Sequence, residues 1–137
     1  MAIDVRGVCP LLQVYDMPTA VKFYRDVLGF EIVGTSPELG PDKYHWVWLR
    51  LGGADVMLNT AYEFDSQRPV PADRARVTAH GDTGLFFGCP DIDGAYEALR
   101  EKSVAVKPPR VASYGMKQLY LKDPDGYGLC FQWKAEE

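Results

Sequence analysis

The run Asp16-Met17-Pro18-Thr19-Ala20-Val21-Lys22-Phe23-Tyr24-Arg25-Asp26-Val27-Leu28-Gly29-Phe30 decides the fold. Its landmarks return downstream at one constant offset: Asp91 stands to Asp16 as Ala95 does to Ala20 and Arg100 to Arg25. Each copy lies after one apolar run and before another, so the chain reads as two copies of one unit. Between them, residues 61–83 are mostly polar, proline-bearing and patternless, and read as a linker. The expected organisation is a single domain over 1–137, with modules 7–60 and 84–134.

Within the first copy, residues 7–14 read as a strand. Asp16 is an N-cap, Pro18 suits a first helical turn, and Val21, Tyr24 and Leu28 recur at helical spacing. Gly29 stops the helix. Residues 30–33, 44–51 and 55–60 read as three strands, the last two joined by Gly52-Gly53. The second copy repeats the order: a strand over 85–89, a helix from Asp91 to about 102, a short strand over 104–106, and strands over 118–122 and 128–133. Asp123-Pro124-Asp125-Gly126 forms the last turn.

At 137 residues with 47% hydrophobic and 25% charged side chains, the chain is one ordinary globular domain. Its net charge of −4 argues against a nucleic-acid partner. No apolar run approaches the ~20 residues of a membrane span. An N-terminus without a signal-peptide stretch and an odd count of three cysteines lead us to expect a cytoplasmic protein.

The hairpin registers sort side chains by face. If Gly52-Gly53 closes its hairpin, Val47, Leu49, Val56 and Leu58 share one face and suit a helix. Trp46, Trp48, Met57 and Asn59 share the other, with Arg50 and Asp55 further out. If Tyr127 belongs to the last turn, Leu119, Leu121, Leu129 and Phe131 face a helix, and Gln118, Tyr120, Cys130 and Gln132 face away. Indoles, a thioether and amides on one sheet face suit a ligand concavity, which is mostly apolar with a few placed polar groups. They equally suit a subunit interface, and one surface could serve as both.

The segment 16–30 resembles the opening module of the vicinal oxygen chelate superfamily, which includes glyoxalase I, the bleomycin resistance protein and the extradiol dioxygenases. Cys89-Pro90-Asp91-Ile92-Asp93 agrees with its second module. Tyr114-Gly115-Met116-Lys117-Gln118-Leu119-Tyr120-Leu121-Lys122-Asp123-Pro124-Asp125-Gly126 is similar to the closing segment of bleomycin-resistance-type members. The resemblance implies an α+β fold of two tandem βαβββ modules, with curled mixed sheets, helices on the outer face, and a dimeric cup. It also implies four metal-ligand positions in the metal-binding members. Here they hold Cys9, Met57, Gly84 and Cys130 in place of the usual His, Glu, His and Glu.

The expected function is therefore a metal-free, cofactor-free binding protein that sequesters a small organic molecule as a homodimer, with no membrane or nucleic-acid partner. Trp46, Trp48 and Phe86 would supply a wall. Gln13, Asn59, Gln118 and Gln132 would orient the ligand, and Met57, Tyr120 and Cys130 complete the set. A planar, antibiotic-like ligand is expected, and the acidic chain favours a cationic one. The alternative is a metal-dependent lyase, isomerase or dioxygenase acting on a vicinal-oxygen substrate through non-standard ligands.

Overall fold

Asp16 starts the first helix as its sequence requires: its carboxylate accepts from the Thr19 amide at 3.2 Å, and Pro18 lies in the first turn. The structure, a computed structural model, describes residues 2–136. Helix α1 (Met17–Lys22) runs on as a π-helical turn over Phe23–Val27 and ends at Gly29, whose φ of +91° favours glycine. Strands β1 (Leu11–Val14), β2 (Glu31–Thr35), β3 (Trp46–Leu51) and β4 (Ala54–Thr60) form a mixed sheet in the order β1-β4-β3-β2. Strand β1 runs parallel to β4, and the other pairs are antiparallel. One sheet face buries Leu12, Val14, Val47, Leu49, Val56 and Leu58 beneath α1, which contributes Ala20 and Val21. Tyr24, from the π-helical turn, packs edge-on against Phe30 in the same core.

The chain divides into two units at the Ala72–Asp73 junction. The second carries α2 (Arg74–Ala79), β5 (Gly84–Gly88), α3 (Ile92–Glu101), β6 (Arg110–Val111), β7 (Met116–Lys122) and β8 (Gly128–Lys134). Its sheet repeats the first in the order β5-β8-β7-β6, again with the first strand parallel to the last. Asp91 caps α3 by accepting from the Gly94 amide at 3.0 Å. Leu119, Leu121, Leu129 and Phe131 are buried on the α3 side. The fold is α+β, with two four-stranded mixed sheets.

Both predicted hairpin registers hold. Leu51 pairs with Ala54 and Trp46 with Asn59 across Gly52-Gly53, while Gln118 pairs with Gln132 across the last turn. Three local expectations need correction. Strand β1 begins at Leu11, not Gly7: before it, Pro10 offers only its carbonyl, which accepts from the Met57 amide at 2.8 Å. The short strand lies at Arg110–Val111, not 104–106, because Pro108 and Pro109 lack the amide a ladder needs and pairing begins beyond them. The third strand begins at Trp46, not Tyr44: His45 sits in a bend ahead of it, exposed, with Nε2 3.3 Å from the Glu63 carbonyl.

Residues 61–83 contain α2 and two short 3₁₀ turns, at Asp65–Gln67 and His80–Asp82. Arg76 of α2 pairs with the buried Asp125 at 2.9 Å. His80 stacks on Tyr127 with centroids 4.0 Å apart, and its Nδ1 lies 2.7 Å from the Asp125 carbonyl. Helix α2 is thus fastened to the turn that closes β7 and β8.

Candidate ligand-binding site

Alternation along β3 and β4 places Trp46, Trp48, Met57 and Asn59 on the sheet face opposite α1, and the parallel pairing of Gln13 with Asn59 adds Gln13. This is the first half of the residue set expected from the sequence, gathered on one surface. The two indoles are fixed within the protein. Trp48 donates its ring N–H to Asp55 Oδ2 at 3.1 Å, and Trp46 donates to Met57 Sδ at 3.4 Å. Arg50 pairs with Asp55 at 2.8 Å and lays its guanidinium over the Trp48 ring, 5.3 Å from the centroid. The Arg50 guanidinium holds the Asp55 carboxyl below the usual aspartate range.

Two supports of this face were not read from the sequence. Gly34, opposite Trp48 after a bulge in β2, leaves room for both rings: a Cβ there would lie 3.5 Å from each indole. Ser36 Oγ accepts from the amides of His45 and Trp46, both at 3.0 Å, and fixes the start of β3. Gly34 stands in a strand, where glycine signals a close approach; Ser36 carries no comparable signal.

In the second unit, Phe86, Cys130 and Tyr120 lie side by side across β5, β8 and β7, and Gln118 pairs with Gln132 one step along. The second half of the expected set therefore also shares one face. Phe86 and Tyr120 meet edge-on with centroids 6.2 Å apart, each 55% exposed. Cys130 lies beneath them, 1% exposed, so it forms the floor and offers no contact surface. Burial pushes its thiol above the ordinary range. Gln118 Nε2 donates to Tyr114 Oη at 2.7 Å and to Gln132 Oε1 at 2.9 Å, which locks the amides into a small network. Arg110 of β6 pairs directly with Gln118 and so belongs to this face. The sequence reading missed it because it misplaced the edge strand.

Residues 8–131 match the Glyoxalase/Bleomycin resistance protein/Dioxygenase superfamily. The chain belongs to that superfamily. A lactoylglutathione lyase of Haemophilus influenzae is 29% identical over 124 residues, 88% of this chain and 87% of the relative. Among solved structures, TnmS3, an antibiotic binding protein from Streptomyces sp. CB03234, superposes with a TM-score of 0.69 at 24% identity, covering 98% of this chain and 100% of that one. A glyoxalase/bleomycin resistance protein from the same Streptomyces strain gives a TM-score of 0.60 at 25% identity, covering 92% and 100%.

The superfamily's metal-binding members invite a test of the donors present here. At the four positions, Gly84 has no side chain and the Met57 thioether already accepts the Trp46 N–H. That leaves the thiols of Cys9 and Cys130, two donors where a catalytic zinc site takes three protein ligands. Among the described residues, no three His, Cys, Asp or Glu side chains cluster to hold an ion. The donor set does not fit a metal of this superfamily.

Proposed function

We propose that this protein binds a planar, antibiotic-like organic molecule without a metal and acts by sequestering it, as a homodimer. One observation carries the reading. Trp46 and Trp48 stand on one sheet face with both N–H groups spent inside the protein, so what they offer a ligand is ring surface. Such surfaces bind flat molecules through area and dispersion, with amides such as Asn59 and Gln13 fixing orientation. Asn59 is held in turn, its amide donating to the Thr60 carbonyl at 3.3 Å. The antibiotic binding described for TnmS3, which shares this fold, supports the same class of ligand.

The test is a panel of planar antibiotic-type compounds titrated into tag-free protein, read by tryptophan fluorescence and calorimetry. The Trp133→Phe variant removes the indole outside the site, which is 47% exposed. At least one compound is expected to quench emission and raise Tm, and Trp48→Ala should weaken its binding. A panel in which nothing quenches or stabilises overturns the proposal. The lyase from Haemophilus influenzae motivates a second reading, a metal-dependent lyase. It requires metal-dependent turnover that disappears when Cys9 and Cys130 are both replaced by Ser.

A further inference from the structure

The face of the second sheet opposite α3 has a charge opposite to that of the whole chain. Alternation from the Gln118–Gln132 pair places Met116, Gln118, Tyr120 and Lys122 of β7 on this face, and Cys130, Gln132 and Lys134 of β8. Strand β5 adds Phe86, and β6 adds Arg110. Among the described residues of these strands, the face therefore carries Arg110, Lys122 and Lys134, and no carboxylate. A cleft of about 320 Å³ opens at its edge, lined by Lys107, Pro108, Arg110, Ala112, Gln118 and Tyr120. Among the described residues, neither Lys107 nor Arg110 enters an ion pair, whereas Arg25, Arg50, Arg68 and Arg76 all do. Burial holds the Tyr120 hydroxyl above its ordinary range, so it remains a donor at neutral pH.

We infer that this edge cleft recognises a carboxylate on an otherwise planar aromatic ligand, with Arg110 as the specificity-determining residue. The ring would lie against Phe86 and Tyr120. The carboxylate would take the paired N–H groups of the Arg110 guanidinium, which match its two oxygens, with Lys107 beside it. The net charge of −4 alone favours a cation, but charges more than about 8 Å away are screened at physiological salt. A ligand in contact with this face meets cations. The inference rests on the small-molecule reading above and adds to it the charge of the ligand.

The experiment uses three probes with one ring system and different charge: 2-naphthoate, 2-naphthamide and 2-naphthylmethylamine. Each is titrated calorimetrically into wild type and into Arg110→Gln, Arg110→Lys and Lys107→Gln. Arg110 and Lys107 are both exposed, and near-UV circular dichroism confirms that the variants keep the fold. Naphthoate is expected to bind about tenfold tighter than naphthamide, consistent with a charge-assisted hydrogen bond. Arg110→Gln should erase that preference, and Arg110→Lys should retain part of it. Equal affinity for the three probes, or a preference that survives Arg110→Gln, overturns the carboxylate inference and leaves the sequestering reading intact. Failure of naphthoate to bind also overturns it, while the wider antibiotic panel decides the sequestering reading independently.

Discussion

Trp48 shows how single residues set this site. Its indole is held at the N–H by Asp55 and over the ring by Arg50, so its position depends on a carboxylate that must stay charged. Because the Asp55 pKa is lowered in the folded state, the contribution of this contact is complete above the ordinary aspartate value of about 3.9. It is lost only as pH falls through the lower folded value. Tryptophan emission is therefore expected to stay constant down to pH 4 and to shift below it, and Asp55→Ala should produce that shift at pH 7. An Asp55→Ala spectrum identical to wild type would show that Trp48 is positioned by something else. Gly34 is the complementary case. Gly34→Ala should be tolerated, since a Cβ 3.5 Å from each indole is an ordinary contact. Gly34→Leu must displace a ring and should cost roughly 1–3 kcal/mol of stability, with a weaker ligand response. Thermal denaturation and fluorescence of the two variants separate these outcomes.

Among elements, the turn that closes β7 and β8 does more than reverse the chain. Asp123 Oδ1 accepts from the amides of Asp125 and Tyr127, both at 2.9 Å, which shapes the turn from within. Gly126 completes it at φ +87°, and a Cβ there would collide with the Val77 carbonyl of α2. Gly126→Ala should therefore be strongly destabilising: the left-handed conformation alone costs roughly 1–2 kcal/mol, and the clash with α2 adds to it. Denaturant unfolding with a midpoint equal to wild type would mean that α2 yields freely. The sequence made legible those elements with a strong local signal: two capped helices, a Gly-Gly hairpin and an Asp-Pro-Asp-Gly turn. From those turns the registers followed, and with them which residues share a face. Helix α2, at six residues, is too short to display a period, and β6, at two, leaves no alternation. Arg110 was lost with β6, since a residue can be assigned to a face only once its strand partner is known. Cys130 was read as facing the ligand because alternation gives the face of a side chain and not what covers it.

At the scale of the whole molecule, the same βαβββ plan is used twice with different surface chemistry. The first sheet presents two indoles pinned by Asp55 and Met57; the second presents phenyl and phenol rings, a glutamine pair and the cations Arg110, Lys122 and Lys134. Among the described residues, no three His, Cys, Asp or Glu side chains cluster to hold an ion. Gly84 contributes nothing, Met57 is engaged by Trp46, and Cys130 is sealed beneath Phe86 and Tyr120. Chelation should therefore change neither stability nor ligand binding. After dialysis against EDTA, Tm is expected to match that of untreated protein, and ligand should still raise it. A ligand at one hundred times its Kd contributes about 2.7 kcal/mol, whatever the metal content. Zinc added back should leave both values unchanged. A ligand-induced rise in Tm that disappears after EDTA and returns with zinc would mean that the fold recruits donors outside the four superfamily positions, and the sequestering mechanism would give way to a metal-centred one.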